Sequence, residues 1–476
     1  MTIALNQPLA WTNATHEEQR MLQALQGNIL KGHGRKQTIN MFFRIDASKP
    51  LEMKRALREL GNYHLTSAER QLQETLVFQT EKTSGVPFVA AFLSASGYAA
   101  LGLAAKAPQG EPLFLQGMRS NASTTALSDP VLTAWETKFQ EQIDGMVLVG
   151  DDDANTLQLK RDEIAVLLTE GGAEIVLEQH GGAVRDHASQ GIEHFGYVDG
   201  RSQPLMLRED IEKESADAGV SRWEPTFNLD VALVKDAAVN DAISFGSYFI
   251  FRKLEQNVRG FKRQEQLLAT ALSLAGDEAR ELAGALVVGR FEDGTPVTLS
   301  DEAKGLLPPN NFDYTGDGGQ RCPFHAHIRK VNPRGSAAAE RAHIMPRRGI
   351  PYTDKPRKMH PSDLPGSSSV SDFDSKVKGL LPTQDVGLLF MAYNSRLSEQ
   401  FGFTQQSWAN SDSFPVGGTG IDPIIGQSTT TPIDPQWPKI WDDATSVKKS
   451  HSFHGFVTMK GGEYFFAPSL TFFKTL

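Results

Sequence analysis

The segment Arg321–Lys330 (RCPFHAHIRK) brings a thiol and two imidazoles close together, and these groups bind metal ions or metal cofactors. As a zinc site it would offer Cys322, His325 and His327. However, Pro323 favours the start of a helix, where side chains two positions apart point about 200° away from each other. The two histidines would then not share one metal ion, and purely structural histidines are the more common explanation. The basic side chains that cluster here would suit an anionic cofactor; they are Arg329, Lys330 and Arg334.

A second candidate is the run FGYVDGRSQP, residues 195–204. Gly196 and Gly200 flank Asp199, and two glycines this close allow a tight backbone that a flat or bulky group can approach. The same pattern is typical of a surface turn in which the Asp side chain bonds its own backbone. From the local sequence alone, the surface turn is the favoured interpretation.

The third candidate is IMPRRGIPY, residues 344–352, in which Arg347 and Arg348 are adjacent. Of two neighbouring arginines, one is usually solvated and the other is paired with a carboxylate or a phosphate. The pair itself leaves open which arginine has which role.

The elements that would position these residues form two similar series. Apolar strand-like runs around Met41 and Tyr248 lie roughly 200 residues apart, and each is followed by helical spacing. This repeat predicts a duplicated α+β unit. Near the C-terminus, Phe456–Phe466 predicts a closing hairpin around Gly461 and Gly462.

A strongly apolar strand is predicted over Val386–Ala392, and helical spacing follows over Leu397–Trp408. Leu388 and Phe390 are two positions apart on that strand, so they face the same side of the sheet. They could line a pocket or belong to the ordinary core, and the sequence favours neither.

Composition excludes several classes of protein. With 39% hydrophobic and 22% charged residues, the 476-residue chain is not disordered, and its formal charge of −9 argues against non-specific nucleic-acid binding. No apolar run is long enough to span a membrane, and the first residues show no signal peptide, so we expect no membrane association and a cytoplasmic location. A single cysteine excludes an intrachain disulfide. The sequence carries no signal for an oligomeric state.

Taken together, the three motifs resemble those of dye-decolorising peroxidases. The G-x-x-D-G motif of that family appears as Gly196–Gly200, its haem-ligand segment resembles Arg321–Arg334, and its distal arginine segment resembles Arg347–Tyr352. The chain length is similar to that of the longer, fungal-like and cyanobacterial-like subgroup. Further similar stretches run from the first helix almost to the C-terminus, at Leu25–Arg35, Gly387–Ser395 and Ile421–Gln427.

The resemblance implies two ferredoxin-like halves, each an antiparallel β-sheet covered by helices, as in the dimeric α+β barrel superfamily. We place the halves at residues 1–235, with the G-x-x-D-G segment, and 236–476, with the ligand of haem b. His327 is implied as the proximal iron ligand, and Glu399 and Asp385 are candidates for the carboxylate that accepts its other N–H. The other residues expected to contact the cofactor are Gly196, Gly200, Arg201, Ser202, Leu388 and Phe390.

The implied activity is reduction of hydrogen peroxide with oxidation of dyes, phenols and other bulky aromatic reductants. Asp199 would move the proton and Arg347 would stabilise charge, with Arg348 as the alternative if the alignment shifts by one. An aspartate ordinarily titrates near ~3.9, so we expect an acidic activity optimum. Bulky dyes would be oxidised by electron transfer at the surface, through Trp408 or Tyr352. The alternative function is a non-peroxidative protein that stores haem or releases its iron.

Overall fold

Thirteen strands lie in the parts of the chain that the computed structural model describes, residues 3–274, 276, 279–305, 310–335 and 338–476. They are β1 (Gln37–Ile45), β2 (Phe88–Leu93), β3 (Gly145–Asp151), β4 (Ala173–Gly182), β5 (Val184–Arg185), β6 (Gly191–Ile192), β7 (Val234–Lys235), β8 (Phe245–Gln256), β9 (Ile350–Thr353), β10 (Val386–Asn394), β11 (Gln436–Pro438), β12 (Lys448–Ser450) and β13 (Val457–Ala467).

The same described parts contain fourteen α-helices, none of which is long and apolar enough to cross a lipid bilayer. They are α1 (His16–Ala24), α2 (Pro50–Tyr63), α3 (Ala68–Glu81), α4 (Ala95–Ala100), α5 (Pro112–Gln116), α6 (Asn121–Leu127), α7 (Ala154–Glu170), α8 (Arg208–Asp217), α9 (Val258–Leu272), α10 (Ala279–Val288), α11 (His327–Val331), α12 (Ala338–Arg341), α13 (Val370–Val377) and α14 (Leu470–Lys474).

The main sheet is antiparallel and repeats one arrangement of strands twice. In the first half the spatial order is β4-β1-β3-β2, with α2 and α3 after β1 and with α7 before β4. In the second half β13-β8-β10-β9 is the same order, with α9 after β8. Both are the ferredoxin-like β-α-β-β-α-β order. The predicted α+β fold with two ferredoxin-like halves is therefore confirmed, and the boundary at residue 235 stays a prediction.

The two halves join into one curved sheet with a shared interior. Strand β2 pairs with β13, and β4 and β9, at the two ends of the strand order, lie next to each other. Aromatic rings cross the junction: Phe92 stacks on Phe249 at 4.2 Å, and Phe42 meets Phe251 edge-on at 4.8 Å. Because these rings come from both halves, one hydrophobic core stabilises the whole sheet.

The predicted hairpin at Phe456–Phe466 is wrong, because the chain continues straight through its two glycines as β13. The pairing of β13 with β8 shifts register between Met459 and Gly461, which is a β-bulge. A Cβ on Gly461 would lie 2.2 Å from the ring of Phe139, and its φ is +151°. A glycine is needed here for a close approach inside the strand, and it does not mark a turn.

Two helix predictions also need correction. The segment Leu397–Trp408 forms two wide π-helical turns, Ser398–Gly402 and Thr404–Ala409, and no regular α-helix. Pro323 does not begin a helix, because α11 starts only at His327. His325 therefore lies before the helix, and the separation of about 200° expected for the two imidazoles on one helix does not hold.

Candidate functional site

A cavity of about 320 Å³ brings the three candidate motifs together. His327 from α11, Asp199 from the loop after β6 and Arg347 from the segment before β9 all line it. Strands β8, β10 and β13 form part of the wall. Gly196 is not among the lining residues; it lies in the turn that leads to Asp199. The other residues that were expected to contact a cofactor line the cavity directly; they are Gly200, Arg201, Ser202, Leu388 and Phe390.

His327 is held by a buried carboxylate that sequence reasoning missed. Its Nδ1 lies 2.8 Å from Oδ2 of Asp422, whose side chain is fully buried. The other oxygen of Asp422 accepts the backbone N–H groups of Ile424 and Ile425 at 2.8 and 3.0 Å. The adjacent His327 and these hydrogen bonds hold the pKa of Asp422 below its ordinary value against the effect of burial. With Nδ1 engaged, Nε2 is the nitrogen left to bind a metal, and the carboxylate raises its basicity.

The two carboxylates proposed for this role lie elsewhere. Glu399 is exposed, and Asp385 forms an ion pair with Lys355 at 2.8 Å on the surface. A signal for Asp422 was present, because it belongs to the Ile421–Gln427 stretch that resembles the family, but nothing in the spacing tied it to His327.

The zinc interpretation of the same segment is not supported. His325 is buried edge-on against Trp437 at 4.2 Å, and burial lowers its pKa to about 3. Cys322 is also buried, which raises the pKa of its thiol to about 12. Among the described residues, no group of three His, Cys, Asp or Glu side chains is arranged to hold a metal ion. Cys322 belongs to the hydrophobic core, and His325 packs against Trp437 of the same core.

Asp199 ends a tight turn whose glycines are required by the backbone. Gly196 and Gly200 have φ values of +98° and +77°, in the left-handed region that favours glycine. The Asp199 carboxylate accepts the N–H of Gly200 at 2.6 Å, and its own N–H donates to the carbonyl of Gly191 at 3.0 Å. Both interpretations of this motif are therefore partly right: Asp199 bonds its own backbone, and it also lines the cavity.

Glu193 fills the inside of this turn. Its carboxylate accepts the N–H groups of Phe195 at 2.7 Å and Tyr197 at 3.1 Å, and the amide of Gln256 at 2.5 Å. These bonds fix the course of the chain just before Asp199. Burial raises the pKa of Glu193 to about 7, and the negative charge of Asp199 adds to the increase.

The raised pKa of Glu193 predicts a loss of stability as the pH rises. The unfolded chain releases this proton near pH ~4.3 and the folded chain near about 7, so the folded state binds more protons in between. The stabilising contribution is complete below pH ~4.3 and is lost as the pH rises through about 7. Urea denaturation of the cofactor-free chain gives the free energy of unfolding of the parent and of Glu193→Gln. We expect the parent value minus the Glu193→Gln value to be larger at pH 5 than at pH 8. A difference that grows with pH would contradict this assignment.

The structure separates the two adjacent arginines. Arg347 lines the cavity, where its guanidinium donates to the carbonyl of Arg201 at 2.7 Å and its backbone N–H donates to Oε1 of Gln203 at 3.0 Å. Arg348 points the other way, into the carbonyls of Asn28 at 2.7 Å and Ile29 at 2.8 Å. Because the segment is extended beside β10, neighbouring side chains point to opposite sides. Arg348 is therefore bonded to the backbone away from the cavity, and Gln203 holds the backbone of Arg347.

One end of the cavity is cationic. Arg290 and Arg334 both line it, and burial together with their mutual proximity lowers the pKa of Arg290 to about 9. Burial lowers the pKa of Arg334 to about 10. Arg334 also donates to the hydroxyl of Ser202 and to the amide oxygen of Asn310. Buried guanidinium groups with lowered pKa values gain stability when an anion binds beside them.

Apolar side chains form most of the remaining wall. Leu388 and Phe390 project from the same face of β10 and pair in register with Leu254 and Arg252 of β8. A flat apolar group with a metal and carboxylates fits this set of residues: the imidazole would bind the metal, the apolar walls would contact the flat group and the arginines would bind the carboxylates. These are the properties of an iron porphyrin.

The two aromatic residues proposed for surface electron transfer are not at the surface. Trp408 is 3% exposed, stacked on Phe414 at 5.2 Å and edge-on to His343 at 5.2 Å. Tyr352 is 1% exposed, under the ammonium of Lys253. A bulky dye cannot contact either ring, so the predicted surface sites are wrong.

Comparisons with known proteins show what the whole chain is similar to. A family model described as the DyP dimeric alpha+beta barrel domain matches residues 24–186. Over 100% of both chains, this chain is 43% identical to the multifunctional dye peroxidase DyP2 of an Amycolatopsis species, whose solved structure gives a TM-score of 0.91 with 42% identity over 100% of each chain. A DyP-type peroxidase structure from an Anabaena species is 37% identical, covers 98% of this chain and 97% of that chain, and has a TM-score of 0.88. A dye-decolorizing peroxidase solved in complex with 2,6-dimethoxyphenol is 27% identical over 95% of this chain and 98% of its own, with a TM-score of 0.75.

Proposed function

This chain belongs to the dye-decolorising peroxidase family, and from that premise we propose that Asp199 and Arg347 carry out its peroxide chemistry. The protein is a haem peroxidase, an oxidoreductase that reduces hydrogen peroxide and acts on dyes. The observation that carries the residue assignment is the cavity in which His327, backed by Asp422, is joined by a carboxylate and a guanidinium.

The proposed cofactor is haem b. His327 would bind the iron through Nε2, and Arg290 and Arg334 would bind the propionates at the cationic end. When bound, haem supplies the iron that receives the oxidising equivalents of hydrogen peroxide.

Asp199 is proposed as the group that moves the proton. Breaking the O–O bond of hydrogen peroxide requires that a proton leave one oxygen and reach the other, which departs as water. A carboxylate that lines the cavity and is fixed by the Gly196–Gly200 turn can accept the first proton and deliver it to the departing oxygen. The hydrogen bond from the Gly200 N–H holds the carboxylate in the turn.

Arg347 is proposed to stabilise negative charge as the O–O bond breaks. Its guanidinium is oriented in advance by the carbonyl of Arg201, and its backbone by Gln203, so little reorganisation is needed during the reaction.

Replacing Arg347 with leucine should lower the second-order rate constant for hydrogen peroxide by roughly 10²–10³-fold, the usual effect of losing a charge-stabilising donor. Stopped-flow mixing of the haem-loaded enzyme with peroxide measures this constant. Arg348→Leu is the matched control: it removes a buried guanidinium from carbonyl partners, so we expect a lower melting temperature and a rate constant near that of the parent. Equal losses of rate in the two variants would refute the assignment of Arg347.

The use of a carboxylate as base predicts an acidic optimum for dye oxidation. An aspartate ordinarily titrates near ~3.9 and a histidine near ~6.5, so an aspartate base stays ionised in more acidic solution. Dye bleaching measured from pH 3 to 8 should be fastest on the acidic side, and activity confined to pH values above ~6 would contradict an aspartate base.

Phenols are proposed as further reductants, because a relative was solved with 2,6-dimethoxyphenol bound. The test of the whole proposal is an absorption spectrum: binding of added haem should give a Soret band, and peroxide should then drive dye bleaching. Storage or iron release without peroxidase activity would give the band and no bleaching. A cytoplasmic location remains a prediction, which fractionation of the source cells would test.

A further inference from the structure

Lys330 is a buried ammonium that the proposed chemistry does not use. It lies on α11, one turn after His327, and is 0% exposed. Its Nζ donates to the carbonyls of Ser411 and Gly420, each at 2.6 Å. Burial lowers its pKa to about 8, so at pH 6 it is still an ammonium; the charged groups facing it are Asp422 and Asp412.

The two carbonyls mark the ends of the loop that leads to Asp422. The N–H of Asp422 donates to the carbonyl of Ala409 at 2.8 Å, so the chain returns to the point at which it left the π-helical turns. Lys330 bridges Ser411 and Gly420 just inside this closure. A single short helix therefore supplies the imidazole and also holds the loop that presents the carboxylate to it.

We propose that Lys330 is a positioning residue for the Asp422–His327 pair: by closing the Ser411–Gly420 loop, it holds the Asp422 carboxylate against Nδ1 and so sets the basicity of the haem ligand. This inference rests on the proposed function of His327. It concerns how strongly the imidazole donates to the iron, and it assigns Lys330 no contact with haem or peroxide.

Removing Lys330 should change the haem reduction potential in one direction if Lys330 positions Asp422, and in the opposite direction if it acts only through its positive charge. A carboxylate bonded to the imidazole makes the ligand more electron-donating, which stabilises ferric iron and lowers the potential. Removing Lys330 would loosen that bond and raise the potential. If Lys330 acted only as a nearby positive charge, its removal would make the additional electron less favourable and lower the potential.

The experiment is a spectroelectrochemical titration at pH 6 of the haem-loaded parent, Lys330→Met, Asp422→Asn and the double variant. We expect Lys330→Met to raise the ferrous-to-ferric ratio at a fixed electrode potential about tenfold, a shift of ~59 mV for a one-electron couple. In the double variant the potential should equal that of Asp422→Asn alone, because the effect passes through Asp422. Lys253→Met is the matched control: Lys253 is another buried lysine, paired with Glu136 and Asp354, and its loss should not change the potential.

A potential that falls or does not move in Lys330→Met, or a full additional shift in the double variant, would overturn the inference. If Lys330→Met does not fold, Lys330→Gln is titrated instead; it keeps an N–H donor with a shorter reach, and a smaller rise is expected. Failure of the proposed function is visible separately in the parent before any titration: without haem binding there would be no Soret band, and without peroxidase activity there would be a band but no dye bleaching.

Discussion

Replacing His327 with alanine should abolish haem binding in a chain that still folds. His327 lines the cavity and engages Asp422 through Nδ1, so its Nε2 would bind the iron and its loss would remove that bond. Asp422 loses one partner but keeps two backbone N–H donors, and we expect the variant to be destabilised by only about 1–3 kcal/mol. The measurement is the absorption spectrum after addition of haem, with circular dichroism to establish folding: the Soret band of the parent should be absent, together with all dye bleaching.

His325→Ala is the control for that experiment. His325 is buried against Trp437 and does not line the cavity, so this variant should lose stability and keep its Soret band. If the band persisted in His327→Ala and disappeared in His325→Ala, the two histidines would have to exchange roles.

Changing Asp199 to asparagine should reduce the rate of reaction with hydrogen peroxide by about 10²–10⁴-fold while haem stays bound. Asparagine has nearly the same size and can accept the N–H of Gly200, so the turn should persist. Its amide cannot take up the proton that must leave the first peroxide oxygen. Stopped-flow absorption gives the rate, and the unchanged Soret band separates loss of catalysis from loss of cofactor.

Asp217→Asn removes a carboxylate from the exposed end of α8, where it pairs with Lys213, and serves as the control. Its rate should match that of the parent. A fast Asp199→Asn enzyme would mean that another group moves the proton.

The repeated fold was readable from the sequence because its signal is local. The runs around Met41 and Tyr248 lie in β1 and β8, which occupy corresponding positions in the two halves. Gly461 was misread because a glycine pair predicts a turn, whereas here it makes room for the Phe139 ring, which comes from a distant part of the chain.

The site was only partly predictable, because several of its contacts join distant parts of the chain. Asp422 lies 95 residues after His327, and no spacing rule connects them. The direction of Arg347 depends on how its segment lies beside β10, which adjacent arginines cannot reveal. The burial of Trp408 and Tyr352 follows from packing against neighbours, and residue type alone does not distinguish a buried ring from an exposed one.

The cavity takes lining residues from both sides of the predicted boundary at residue 235, and this has a consequence for dissecting the protein. Cutting at residue 235 would leave Asp199 on one fragment and His327 on the other. The cut would also separate Phe92 from Phe249, so each fragment would expose an aromatic ring that is buried in the intact chain. Neither fragment made separately would bleach a dye. Co-expressed fragments would regain haem binding and peroxidase activity together, because their exposed apolar faces would associate.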